Sequence, residues 1–148
     1  MEYIKATKPE GCFFCDKLKE ARDSENYILY RGDRNFVILN IYPYNVGHLM
    51  VAPYRHVGNL EDLTGEELGE HLEIVSRAVE ALKKALQPQG FNIGMNIGKV
   101  AGAGVEDHIH THVVPRWEGD TNYMPVVADT RVIPEALDST YKKLKDLL

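Results

Sequence analysis

Between residues 107 and 117 the chain reads "DHIHTHVVPRW", which places His108, His110 and His112 at every second position. In an extended segment side chains alternate between faces, so the three imidazoles share one face while Ile109, Thr111 and Val113 point to the other, towards the core. At roughly 3.3 Å per residue the outer two histidines lie about 13 Å apart along the strand, too far for all three to touch one small atom without a bend. The rings must therefore divide their work. One reading is acid–base and nucleophilic catalysis, with a neutral imidazole attacking and another handling protons. A second is metal ligation by a His-x-His pair. A third, an ordinary sheet face that happens to carry histidines, fits badly with how rarely such rows serve stability alone. The first two are compatible when different histidines take the two roles.

The loop leading into this segment, "GKVAGAG" (98–104), has three glycines in seven residues and runs on to the acidic pair Glu106-Asp107. Glycine lets backbone N–H groups approach an anion closely. Amides beside a nucleophile suit a phosphoryl group gathering charge in its transition state. Most glycine-rich loops are only turns, so this one supports the phosphoryl reading without carrying it. No Walker-type lysine motif is present, which sets P-loop chemistry aside. The two cysteines, Cys12 and Cys15 in "GCFFCD", have a spacing that suits metal or redox chemistry in a reducing compartment; a pair of buried thiols is the alternative.

Composition bounds these readings. The 148 residues are 44% hydrophobic and 26% charged with a net charge of −5, as expected of one globular domain spanning 1–148. Nucleic-acid binding, which rests on many Lys and Arg contacts to phosphates, is not expected. No apolar run approaches the roughly 20 residues of a membrane helix. "MEYIKATKPEG" has no apolar signal core, so a cytoplasmic location is the expectation.

The elements that must position the histidines are legible in outline. The first 26 residues read as polar and irregular around the cysteine pair. "YILYRG" (27–32) and "NFVILN" (35–40) read as strands joined by a turn at Gly32-Asp33, and "GHLMVAP" (47–53) as a third. Thr64 followed by Glu67 is a capping box opening a long helix that Pro88 and Gly90 stop. Leu68, Leu72, Val75, Val79, Leu82 and Leu86 form an apolar stripe on it, read as core. His71 then reads as a surface residue. "GFNIGMNIG" (90–98) and "NYMPVV" (122–127) read as further strands, and a final helix starts near Pro134. The expected class is α+β: an antiparallel sheet with one long helix and a C-terminal helix.

"HIHTHVV" resembles the His-φ-His-φ-His-φ-φ pattern of the histidine triad (HIT) superfamily of nucleotide hydrolases and transferases, with Thr111 at a position usually apolar. The resemblance extends to "CFFC", "NIYPYNVGHLMVAPYRHVGNLEDL", the long helix, "GFNIGMNIG" and "HIHTHVVPRWEGDTNY". The "PRWEGDTNYMPVV…TRVIPE" tail looks most like the branch of diadenosine polyphosphate phosphorylases and hydrolases, including the fragile histidine triad type. The resemblance implies that His110 is the nucleophile attacking the α-phosphorus to form a nucleotidyl-histidine. His112 would contact the α-phosphate and assist, and His48 would lie behind the triad and orient it. Asn40 would meet the nucleotide ribose and Asn96 the phosphates. Many members carry Gly-Gln-Ser or Gly-Gln-Thr before the triad, where this chain has Ala103, Gly104 and Val105. Side-chain help is gone there and only backbone amides could bind phosphate, which leaves water or inorganic phosphate as the acceptor.

In some family members a similar cysteine pair binds structural zinc with two histidines. The matching positions here are Cys12, Cys15, His56 and His108, a Cys₂His₂ set suited to tetrahedral zinc. The resemblance further implies an adenosine-type nucleotide substrate, a divalent ion accompanying the polyphosphate, and a homodimer. The alternatives are hydrolysis of nucleoside phosphoramidates, and a nucleotide-binding, zinc-stabilised interaction protein with little turnover.

Overall fold

A computed structural model describes residues 11–103, 107–120 and 134–148. The described residues begin with two short helices, α1 (Phe13–Glu20) and α2 (Asp23–Asn26). The sheet follows, with β1 (Ile28–Arg31), β2 (Asn35–Leu39) and β3 (Leu49–Pro53), and then the long helix α3 (Gly65–Leu86). After it come β4 (Gly90–Met95), β5 (Thr111–Arg116) and the C-terminal helix α4 (Pro134–Lys145). The five strands form one sheet in the order β1-β2-β3-β5-β4, every pairing antiparallel. The expected α+β architecture holds. The N-terminal segment, expected to be irregular, is instead helical from Phe13, with Cys12 as the cap of α1: its sulfur accepts the Cys15 N–H. The strand expected over 122–127 lies outside the described residues.

Both faces of the sheet are covered. Leu29, Val37, Leu39, Leu49, Val51 and Val113 pack under α3 and α4, while Phe36, Ile38, Met50 and Ala52 pack with Cys12 and Phe14 of the N-terminal segment. This explains why β2 and β3 read as continuous apolar runs rather than alternating ones. Every residue of both strands is buried.

The capping box is present: Thr64 Oγ1 accepts the Glu67 N–H, and the Glu67 carboxylate accepts the Thr64 N–H. The apolar stripe of α3 is rotated from the expected one. Leu68 and Leu72 are 40% and 68% exposed, Val79 and Leu86 are half-buried, and only Val75 and Leu82 of that set are fully buried. The core side of the helix is His71, Ile74, Val75, Ala78, Ala81 and Leu82. Counting large apolar residues overlooks the alanines, whose small side chains let the helix lie close to the sheet.

His71 is therefore a buried residue, 4% exposed, and not the surface residue expected. It shares a helix face with Ile74 and Val75, three and four positions on. Its imidazole bridges Asn35 Oδ1 at 2.7 Å and Thr111 Oγ1 at 2.6 Å. Burial lowers its pKa from 6.5 to about 4. Between those values the unfolded chain protonates His71 and the folded chain does not. Stability is complete above pH 6.5 and falls as the pH drops towards 4, by about 1.4 kcal/mol per pH unit for one such group. Urea unfolding at pH 7 and pH 5 should show this loss, and His71→Gln should have a shallower pH slope; an equal slope in the variant would remove His71 as a source.

Candidate active site and metal clip

The ladder of β5 begins at Thr111, which pairs with Val51 on one side and Met95 on the other. His112 lies opposite Met50, and Met50 belongs to the cluster around Cys12 and Phe14. His112 thus faces the N-terminal segment, and Thr111 and Val113 face α3, as the alternation requires. His108 and His110 precede the regular strand. Phe14, fully buried on α1, packs against both rings, with centroids 5.1 Å from His108 and 4.9 Å from His110. The rings of His110 and His112 stand 4.9 Å apart, nearly perpendicular.

Backbone partners determine the proton positions. His110 Nδ1 lies 2.9 Å from the His108 carbonyl oxygen. A carbonyl only accepts, so Nδ1 carries the proton and Nε2 of the neutral ring keeps its lone pair. The Tyr44 N–H donates to His48 Nδ1 at 3.1 Å. His48 Nε2 must then hold the proton of that neutral ring, and it donates to His112 Nδ1 at 2.9 Å. His112 consequently carries its own proton on Nε2. The site presents one imidazole with a bare Nε2, His110, next to one with an Nε2–H donor, His112.

All three rings stay neutral at physiological pH. Burial, then the neighbouring His112 and His110, pushes His48 down to about 3. Burial, then His110, lowers His112 to about 4, and burial lowers His110. Neutral imidazole is the form that attacks an electrophile.

Asn40 stands at the mouth of the 40–48 loop, where its N–H donates to the His48 carbonyl and its Oδ1 accepts the Tyr42 N–H at 2.8 Å. Its Nδ2 lies 3.9 Å from Met50 Sδ, on the histidine side of the sheet. Asn96 is exposed, one residue past Met95. The Ala103 N–H is donated back to the Gly98 carbonyl at 3.3 Å, so it is turned into its own loop rather than towards a ligand. Gly104 lies outside the described residues. Sequence reasoning missed Phe14, the Tyr44 N–H and the partners of His71; only the helical spacing of His71 to Ile74 and Val75 signalled its burial.

The Cys12, Cys15, His56 and His108 donor atoms all lie within 4.8 Å of one another. His108 Nδ1 is 3.4 Å from Cys12 Sγ, 3.7 Å from Cys15 Sγ and 3.3 Å from His56 Nδ1. Cys15 Sγ is 3.5 Å from His56 Nδ1. A zinc tetrahedron with the usual Zn–N and Zn–S bonds has edges of about 3.3–3.8 Å, and these four separations match such edges. His108 Nε2 lies 2.7 Å from the Pro53 carbonyl and must donate to it, which leaves Nδ1 bare and aimed into the cluster. Burial and the Cys12 thiol push Cys15 up to about 11, so a thiolate there calls for a cation beside it.

Residues 21–119 match the HIT domain family, and the chain belongs to that family. It is 42% identical over 128 residues to a Mycobacterium tuberculosis protein named AP-4-A phosphorylase, covering 86% of this chain and 66% of that protein. It is 33% identical over 93 residues to the asymmetrical bis(5'-nucleosyl)-tetraphosphatase of Schizosaccharomyces pombe, covering 63% of this chain and 50% of that protein. The chain thus spans half to two thirds of the length of these two relatives. Among solved structures, a zinc-bound histidine triad family protein from Mycobacterium smegmatis superposes with a TM-score of 0.75 at 29% identity, covering 93% of each chain.

Proposed function

We propose that the protein is a nucleotidyl transferase acting on dinucleoside polyphosphates of the diadenosine tetraphosphate type. The observation that carries the reading is the tautomer pair: a bare Nε2 on buried, neutral His110 beside the Nε2–H of His112. The phosphorylase relative at 42% identity supports the substrate class. His110 Nε2 attacks the α-phosphorus; a P–N bond forms, the P–O bond to the leaving polyphosphate breaks, and the nucleoside triphosphate departs with its electron pair. The attacking His110 ring becomes cationic, and the His108 carbonyl, already bound to its Nδ1–H, stabilises it. His112 Nε2–H donates to the phosphoryl oxygens, held in that role by His48. In the second step an oxygen of inorganic phosphate attacks phosphorus, and the P–N bond breaks to release a nucleoside diphosphate and restore His110. Asn40 holds the ribose, and Asn96 stands near the phosphates.

The test is incubation with diadenosine tetraphosphate, with and without phosphate. ADP plus ATP formed only with phosphate is the expected result; AMP plus ATP without phosphate would make water the acceptor, and tight binding with no turnover would reject the enzyme. His110→Ala should reduce turnover by about a thousandfold or more while nucleotide affinity stays nearly intact. Normal activity in that variant would remove His110 as the nucleophile.

Zinc is the metal that suits the Cys₂His₂ donor set, and its role in this reading is structural. It would tie α1 to the segment that carries His110. Metal analysis should find about one zinc per chain, lost in Cys12→Ser; metal-free protein of undiminished stability would rule the clip out.

A homodimer completes the reading. Among the described residues β4 is an edge strand paired only with β5, Ile93 on it is 50% exposed, and α3 turns Leu72 outward at 68% exposure. An exposed edge with apolar side chains calls for a partner. Sedimentation equilibrium should give twice the chain mass; a monomer at micromolar concentration would overturn this part alone.

A further inference from the structure

The reaction and the Cys/His cluster together leave one buried imidazole unused. His71 lies on the opposite face of the sheet from His110 and His112, among apolar side chains. An imidazole there costs desolvation that a leucine would avoid, so its hydrogen-bond partners must account for it. Asn35 Nδ2 donates to Glu70 Oε1 at 2.9 Å and to the Glu67 carbonyl at 3.2 Å, which leaves Asn35 Oδ1 as the acceptor facing His71 Nδ1. Nδ1 therefore carries the proton, and His71 Nε2 accepts the Thr111 hydroxyl at 2.6 Å. Glu70 is itself held by the Asp33 and Arg34 N–H groups, each at 2.7 Å. Gly32 permits that approach, because a Cβ there would lie 2.9 Å from Glu70 Oε2.

The far end of this chain of bonds is the residue between the two reactive histidines. Thr111 is the last rung of β5 towards its start, paired on both sides. His110, one residue further, has no ladder partner among the described residues. Its backbone depends on the Ile109 N–H bond to the Val57 carbonyl at 2.7 Å and on whatever fixes Thr111. We propose that His71, oriented by Asn35 and bonded to Thr111, is a positioning residue that sets the register of His110 and His112 from the opposite face of the sheet. The inference rests on the nucleotidyl-transfer reading above. Losing the Thr111 bond loosens the strand entry and misplaces the attacking Nε2, a fault felt in the chemical step more than in binding.

Thr111→Val keeps the branched shape and deletes the hydroxyl; Thr111→Ser keeps the hydroxyl. In folded protein, Thr111→Val should lower kcat about tenfold with KM within about twofold, and Thr111→Ser should restore kcat to within about threefold. Unchanged kcat in folded Thr111→Val, whatever its melting temperature, would leave His71 a stabilising residue only. An equal loss in Thr111→Ser would also overturn the proposal. Should Thr111→Val fail to fold, Thr111→Ala takes its place with the same expectations. Imidazole ¹⁵N spectra test the network without substrate, so that an inactive native protein, which would sink the functional reading, leaves the network open to judgement. His110 should show a single Nδ1–H tautomer in the native protein and a mixture in the hydroxyl-less variant. One tautomer in both would overturn the network.

Discussion

A backbone carbonyl and a backbone amide, neither of which titrates, decide where the protons sit on the rings of His110, His48 and His112. The His108 carbonyl holds the proton of His110 on Nδ1, and the Tyr44 amide empties Nδ1 of His48, which orders His112 in turn. Side-chain partners in those places would have let the proton pattern change with their own ionisation. Burial adds the second condition, because it keeps the rings neutral. In the proposed reaction, nucleophile and donor are thus prepared before any ligand arrives, an arrangement that suits charge developing on phosphorus.

His108 connects two parts of the molecule that would otherwise be independent. Its Nδ1 belongs to the Cys12, Cys15 and His56 cluster, its Nε2 is tied to Pro53, and its carbonyl holds His110. The N-terminal helix therefore contributes twice: Phe14 packs against the rings of His108 and His110, and the cysteines flank His108. This accounts for the different surroundings of the first and second histidines of one motif, since they sit two residues apart but face different tasks.

The sheet makes this possible by being covered on both sides. α3 and α4 occupy one face, and the N-terminal segment with the imidazoles occupies the other. Alternation along β5 then sends Thr111 to the helix side and His112 to the site side. A perturbation on the helix face has a short path, one residue along the backbone, to His110 and His112.

Much of this was legible from residue order alone. The histidine alternation, the capping box at Thr64 and Glu67, the strand segments and the cysteine pair depend on spacing, and spacing is a property of the chain; His56 and His108 join the cysteines only through the family resemblance. Besides the helicity of α1 and the parts played by Phe14 and the Tyr44 N–H, three things were not legible. The phase of the α3 stripe was misread because small residues such as Ala78 and Ala81 define the buried side when the helix lies close against a sheet. The role of His71 was invisible because Asn35 and Thr111 reach it from strands 36 and 40 residues away in sequence. The direction of the Ala103 amide was set by its own loop. The sequence by itself determined which side chains are available and which face of a strand they take, because local geometry repeats with every residue. Only the tertiary structure decided which nitrogen of each ring bears a proton, because that follows from the group standing opposite it, and the groups opposite come from distant parts of the chain.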